Sequence, residues 1–248
     1  ERLARALPRT DSFLRNALTL ATGTMVAQII TLAALPVLTR LYTPSDFGLL
    51  AAFTVLSTII STFACLGYEP AIVLPKRNTT ALCLWALCIQ AGLLVTTISA
   101  IVFTIWPAEI SELAGNAELA QVLQLVPLMV FAWSVSVATT QWCTRHRQFS
   151  AVSASNVANR SIAVGSQFGL GVFPAIAGSL SLIVGFVLGS LAGMGMLLRH
   201  FRNTVQSGLW RGVRFSRVLA LVYVYRDYPG YGLSSNLIGA IVQIGKSV

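Results

Sequence analysis

The chain has 248 residues, of which 55% are hydrophobic and only 10% are charged, and its mean hydropathy is +0.74. Soluble domains carry about 25% charged residues, so this composition excludes a soluble globular fold and predicts an all-α, polytopic transmembrane helix bundle. The formal net charge of +9 falls in short gaps between apolar runs, so we interpret it as a topology signal at a membrane and exclude a nucleic-acid partner.

Apolar runs divide the chain into spans. After a basic, amphipathic segment at residues 1–16, six runs are long enough to cross a bilayer as helices. They cover approximately residues 17–38, 49–74, 81–106, 122–142, 149–173 and 176–198, so residues 17–198 are predicted to form one six-helix transmembrane lobe. Residues 199–228 are basic and rich in aromatics, which is typical of an interfacial segment, and residues 229–248 begin a seventh span.

Small residues inside two of the spans predict local features. Gly67 and Pro70 interrupt the second run around Glu69. Glycines recur every four residues at 185, 189 and 193 of the sixth run, a spacing that allows two helices to approach closely. The four cysteines lie in or beside apolar runs without metal-ligand spacing, so we interpret them as small apolar packing residues.

The distribution of Lys and Arg predicts the orientation of the chain. With the N-terminus in the cytoplasm, the inner gaps hold four, two, two and six basic residues, and the outer gaps hold one, none and none. This asymmetry follows the positive-inside rule, so the N-terminus is predicted to be cytoplasmic and the acidic loop Glu109–Glu118 external.

An arginine lies inside the fifth run. In a helix that begins at Phe149, Arg160 falls roughly 15 Å deep, near the bilayer midplane. Asn156, Asn159 and Gln167 share its face at 100° per residue. Because a charge at this depth costs at least ~2.5–3.5 kcal/mol, Arg160 should face a wet cavity or a partner, which makes this face a candidate functional site.

Catalytic equipment is missing from the sequence. The two histidines, His146 and His200, both fall in basic gaps, and we find no P-loop, dinucleotide-binding glycine pattern or paired acidic metal motif. We therefore expect no enzymatic activity, cofactor or metal.

Four stretches carry a resemblance to a known family. Leu38–Gly48 resembles the first-loop motif of polysaccharide-biosynthesis membrane proteins, the O-antigen and capsule-repeat (Wzx-type) flippases of the multidrug/oligosaccharidyl-lipid/polysaccharide exporter superfamily. Gly67–Lys76 is similar to the signature at the end of their second helix. Arg147–Phe149 before the Arg160 face resembles the start of their fifth helix, and Tyr225–Pro229 followed by Asn236 resembles the start of their seventh.

The resemblance implies a fold and a function. It implies a two-lobed exporter around a central cationic cavity, of which this chain supplies one six-helix lobe and the start of the next. The implied activity moves undecaprenyl-pyrophosphate-linked O-antigen or capsule repeat units, for surface polysaccharides such as lipopolysaccharide, from the cytoplasmic to the periplasmic leaflet of a bacterial inner membrane. Besides that lipid-linked oligosaccharide, the implied partners are membrane lipids, the polysaccharide polymerase and the chain-length machinery.

Given this resemblance, the charged residues acquire expected roles. Arg160 would bind the pyrophosphate, and Asn156, Asn159 and Gln167 would bind sugar hydroxyls. Arg40 would pair with Asp46 at an outer gate. Glu69, expected in an α-helix about seven residues from its cytoplasmic end, would pair with Arg160 or with a cytoplasmic arginine, or would couple transport to protons.

Three other functions remain open from the sequence: a cation-coupled multidrug exporter of the same superfamily, a membrane enzyme of polysaccharide assembly, and a scaffold for glycosyltransferases. Arg160 disfavours an exporter of cationic drugs, and the short acidic external loop disfavours a polymerase or ligase. Only a transport measurement separates a scaffold from a flippase.

Overall fold

A computed structural model of the protein describes residues 10–113, 115, 117–172, 178–205, 221, 223 and 225. The described residues form seven α-helices and two short 3-10 helices and contain no strand, which confirms the predicted all-α class. The α-helices are α1 (Thr10–Leu41), α2 (Pro44–Thr62), α3 (Asn78–Ile105), α4 (Pro107–Leu113), α5 (Leu125–Arg145), α6 (Phe149–Gly171) and α7 (Ser179–Thr204).

Five of these helices are long and apolar enough to cross a membrane: α2, α3 and α5 over their full lengths, α1 from Leu18 and α7 as far as Asn203. The remaining long helix, α6, is more polar. It nevertheless runs parallel to α1, with Ser153 beside Gly23 near one end and Gly171 beside Tyr42 at the other. Helix α6 also packs against α7, to which it is antiparallel. It therefore completes a bundle of six long helices in a polytopic membrane protein.

The bundle has a basic end and an acidic end. At the basic end, α3 begins after Lys76 and Arg77, α5 ends at Arg145, and α7 ends beyond Arg202. At the acidic end, Asp46 lies in the first turn of α2, and Glu109 in that of α4. Successive long helices alternate in direction, so every second connection lies at the same end of the bundle. The basic residues 76, 77, 145 and 202 therefore share one end, and Asp46 and Glu109 share the other.

Two apolar clusters form most of the core. Near the acidic end, α2, α3, α5 and α7 bury a cluster that includes Leu49, Phe53, Phe103, Val126 and Ile183. Near the basic end, α3, α5 and α7 enclose a second cluster around Trp142, whose indole ring packs edge-on against Phe201 at 5.3 Å between ring centroids. These clusters fix the positions of α5 and α7.

The second predicted span is interrupted, as Gly67 and Pro70 indicated. Helix α2 stops at Thr62, and turns follow in which Leu66 and Gly67 have φ values of +50° and +75°. A 3-10 helix then covers Glu69–Val73. The expectation that Glu69 belongs to an α-helix about seven residues from its end is therefore wrong, because α2 has already ended and two left-handed residues separate it from the segment that holds Glu69.

Helices α6 and α7 approach each other through glycine, as the four-residue spacing indicated. A Cβ atom at Gly185 would lie 2.5 Å from the Gln167 Cγ, and one at Gly189 would lie 2.5 Å from the Ala163 Cβ. All four cysteines are buried and form no disulfide within the described residues, in agreement with a packing role.

The first and last long helices extend past the predicted limits of the lobe. Helix α1 already begins at Thr10, and α7 continues to Thr204, six residues past the predicted end of the lobe at residue 198. Residues 1–9, most of the basic segment 199–228 and all of the predicted seventh span 229–248 lie outside the described residues, so those predictions stand as they were made.

Candidate functional site

A cavity of about 260 Å³ lies between α5 and α6 at the middle of the bundle, and α7 closes it from behind. Helix α6 contributes Asn156, Asn159 and Arg160, which are three of the four residues that the sequence places on one face. Helix α5 contributes Trp133 together with a polar set, namely Ser136, Thr140 and Gln141. The site therefore combines one guanidinium, three amides and two aromatic rings, those of Trp133 and of Phe186 on α7.

The cavity exists because α6 packs closely against α1 and α7 and diverges from α5. On one side the Ser153 hydroxyl donates a hydrogen bond of 2.6 Å to the Thr19 carbonyl in α1. On the other side, the glycines of α7 admit the backbone of α6, since a Cβ atom at Gly189 would lie 2.5 Å from the Asn159 carbonyl oxygen. The contact between α5 and α6 is slight beside these two, and a cleft opens between them.

A tight turn joins α5 to α6 at the basic end. The Arg147 amide donates to the Thr144 carbonyl at 3.0 Å, and the Gln148 amide donates to the Cys143 carbonyl at 2.8 Å. This is the Schellman pattern, and it puts Arg147 in the left-handed region with φ of +56°. The turn reverses the chain within three residues and starts α6 at a fixed angle to α5.

Arg160 lies at the midpoint of α6, eleven residues after Phe149 and eleven before Gly171. At 1.5 Å per residue, its Cα is about 16 Å from either end of the helix. Its side chain is half-buried, and within the described residues it forms no ion pair or protein hydrogen bond. An unneutralised guanidinium at this depth can bind an anion in bidentate geometry, and the neighbouring amides can both donate and accept hydrogen bonds.

Gln167 lies outside this cavity. Its side-chain amide donates a 3.0 Å hydrogen bond to the Leu182 carbonyl of α7, and its backbone carbonyl accepts one of 2.6 Å from the Tyr42 hydroxyl. The expectation that Gln167 shares a cavity with Arg160 is corrected: the two residues share a helical face, but α7 covers that face near the acidic end. Gln167 serves the packing of α6.

Tyr42 joins three helices at the acidic end. Its hydroxyl, at the end of α1, lies 2.6 Å from the Gln167 carbonyl in α6 and 2.9 Å from the Ser181 hydroxyl in α7. Ser181 also donates to the Gly178 carbonyl at 2.8 Å. Two hydroxyl hydrogens thus serve three contacts, so only two of the three can be full hydrogen bonds at one time.

The predicted pair of Arg40 and Asp46 is replaced by a helix cap. The Asp46 carboxylate accepts hydrogen bonds from the backbone amide of Thr43 at 2.8 Å and from the Thr43 hydroxyl at 2.7 Å. Thr43 and Asp46 form the capping box at the start of α2. Arg40 is exposed in the last turn of α1. The local cap uses the carboxylate that the gate prediction assigned to Arg40.

Glu69 lies at the opposite side of α5 from the cavity. The residue is buried, with 9% of its surface exposed, and its 3-10 helix packs on α3 and α5. The guanidinium of Arg145 holds the end of this segment, donating to the Val73 carbonyl at 3.0 Å and to the Asn78 side-chain oxygen at 3.1 Å. The pairing of Glu69 with Arg160 is not formed, and its role in ion coupling stays a prediction.

The α5 wall of the cavity was missed by sequence reasoning. Trp133, Ser136, Thr140 and Gln141 fall within about 140° of one another on a helical wheel. This polar stripe inside an apolar run carries the same signal as the Arg160 face. It differs from the Arg160 face in that it contains no charged residue.

The fold and the site define a class of protein: a polytopic membrane protein whose helical bundle holds a cationic, amide-lined cavity at mid-depth. Residues 37–221, about three quarters of the chain, match the family described as polysaccharide biosynthesis protein. The chain belongs to this family, which confirms the resemblance seen in its sequence motifs. No curated protein and no solved structure matches the chain significantly.

Proposed function

We propose that this protein is a flippase for lipid-linked oligosaccharides, and that Arg160 binds the pyrophosphate group of the lipid while it crosses the membrane. The observation that carries the proposal is the placement of this guanidinium. It lies at the midpoint of a spanning bundle, in a cavity with Asn156 and Asn159, and has no protein carboxylate as a partner among the described residues.

The energetics of transfer support this assignment. A pyrophosphate that leaves water loses hydration worth many kcal/mol, and fixed positive charge with hydrogen-bond donors must replace it. Burying a lone arginine at mid-depth costs at least ~2.5–3.5 kcal/mol. When the guanidinium binds the anion, each group offsets the cost of burying the other. Membership in a polysaccharide biosynthesis family supports a sugar-bearing lipid as the source of that anion.

The proposed transporter has a defined orientation in the membrane. The basic end faces the cytoplasm by the positive-inside rule, so the N-terminus is cytoplasmic and the acidic end faces the periplasm of a bacterium. The lobe described here would rock against a second lobe and expose the Arg160 cavity to each leaflet in turn. The undecaprenyl chain would remain in the lipid while the pyrophosphate and glycan cross.

Reconstitution of the full-length protein tests the proposal. Vesicles would carry the undecaprenyl-pyrophosphate-linked repeat unit on one leaflet, and a lectin would report its arrival on the other. We expect Arg160→Ala to reduce the rate at least ~30-fold, because it removes a buried charged contact, and Arg160→Lys to retain part of the activity. Arg202→Ala is the matched control, since it removes the same charge from an exposed position at the basic end.

The competing outcomes are distinct. Equal rates in wild type and Arg160→Ala would refute the role of Arg160. Normal lipid-linked intermediates and altered drug tolerance in cells that lack the gene would instead indicate a drug exporter. A complete repeat unit that accumulates on the cytoplasmic leaflet of such cells would support the flippase.

A further inference from the structure

Trp133 occupies an unusual position for a tryptophan in a membrane helix. It lies eight residues after the start of α5 and twelve before its end, and its side chain is 47% exposed. Tryptophans with exposed edges normally sit in the belts at the membrane interfaces, as Trp106 does at the end of α3 with 49% exposure. Trp133 instead forms part of the cavity wall near mid-depth.

The cavity wall that includes Trp133 is mixed: Met129, Val137 and Phe186 are apolar, and a smaller set of side chains is polar. The cavity places Trp133 with Gln141 on α5 and with Asn156 and Asn159 on α6, and each of these amides offers both donors and an acceptor. Within the described residues, no hydrogen bond to the Trp133 indole is formed. A lipid tail in this cavity would leave the amides without partners, which is costly away from water.

This arrangement suits a ligand with one apolar face and a polar rim. A pyranose ring has that shape: its C–H face can stack on an indole while its hydroxyls bond to amides around the edge. We propose that Trp133 is the stacking platform for one sugar ring of the glycan, and thereby a specificity-determining residue. This inference rests on the proposed function.

The size of the cavity limits how much of the glycan it can hold. Its volume of about 260 Å³ is smaller than that of typical pockets for drug-sized ligands, roughly 300–1,000 Å³. A whole repeat unit does not fit beside a pyrophosphate bound at Arg160, so only the part of the glycan next to the pyrophosphate enters the cavity. Trp133 therefore reads one sugar residue, and the remaining glycan lies outside the cavity described here.

The test compares two lipids in vesicles that contain the full-length protein. One is the undecaprenyl pyrophosphate that carries the repeat unit, and the other is undecaprenyl pyrophosphate without sugar. We expect Trp133→Ala to slow transfer of the glycosylated lipid by about tenfold, equivalent to a contact of ~1.4 kcal/mol, and to leave the sugar-free lipid unchanged. Trp133→Phe should restore most of the rate, and Trp106→Ala, the control of equal exposure, should change neither.

Failure of this inference and failure of the proposed function give different results. If wild type moves the glycosylated lipid and Trp133→Ala moves it equally well, or slows both lipids equally, the stacking role is wrong. If wild type moves neither lipid, the proposed function fails, and tryptophan fluorescence of the protein in nanodiscs decides on the sugar site. Quenching by N-acetylglucosamine or glucuronic acid that Trp133→Phe abolishes and Trp106→Phe preserves would support the site. No quenching by either sugar in that case would overturn it.

Discussion

The hydroxyl of Tyr42 permits a sharp thermodynamic prediction. It contacts the Gln167 carbonyl and the Ser181 hydroxyl, and Ser181 also contacts the Gly178 carbonyl. Two hydrogens are available for these three contacts. Tyr42→Phe removes one hydrogen and leaves Ser181 bonded to Gly178, so the net loss is one hydrogen bond, although two contacts disappear.

The same count predicts how two substitutions combine. Ser181→Ala leaves Tyr42 bonded to Gln167 and also loses one hydrogen bond. Each variant should lose about 0.6 kcal/mol of unfolding free energy, and at most ~1.7 kcal/mol, which are the average and the maximum measured for side-chain hydrogen bonds between membrane helices. The double variant loses both hydrogen bonds. We therefore expect the effects to add within ~0.3–0.5 kcal/mol, although residues in direct contact are usually coupled.

Reversible unfolding in mixed detergent and dodecyl sulfate micelles measures these free energies. Ser99→Ala is the control, because Ser99 is a buried serine whose hydroxyl bonds only within α3, to the Thr96 carbonyl at 2.9 Å. If all three contacts around Tyr42 were full hydrogen bonds, each single variant would lose two of them and the double variant three. A coupling energy near one hydrogen bond would therefore refute the count.

The remaining predictions concern helix packing and the basic end. Gly189→Ala should destabilise the bundle by ~1–3 kcal/mol because the new Cβ atom meets Ala163, whereas Gly195→Ala in the same helix has open space and should be neutral or stabilising. Unfolding in mixed micelles measures both variants. Equal changes in unfolding free energy would contradict the close contact between α6 and α7. Arg145→Ala removes the hydrogen bonds to Val73 and Asn78, so it should speed hydrogen exchange of the backbone amides around residues 73–78, while Arg147→Ala should not. Unchanged exchange in Arg145→Ala would show that these hydrogen bonds are not needed to hold the segment.

Local sequence arithmetic predicted part of the site correctly. The helix that contains Arg160 runs over Phe149–Gly171, so counting residues from Phe149 placed the arginine at the true midpoint. Asn156 and Asn159 share the cavity with it because three or four residues return a helix to the same face. The break near Glu69 was also visible, since glycine and proline act through the backbone of their own segment.

The tertiary structure decided which partner each of these faces meets. Gln167 lies on the face of Arg160, yet α7 covers it, and Tyr42 reaches it across 125 positions of the chain. Asp46 lies close enough to Arg40 in sequence to suggest a pair, but capping α2 satisfies its carboxylate locally. Trp133 belongs to the site only because α5 and α6 diverge and leave a cavity between them.

The membrane class, the break after α2 and the position of Arg160 within its helix could be predicted from the sequence alone. These follow from hydrophobic transfer and backbone geometry, which act on single residues and single helices. The cavity, the Tyr42 contacts and the fate of Gln167 depend on how α6 is divided between α1, α5 and α7. That division is set by close packing at glycines in other helices, which no single segment encodes.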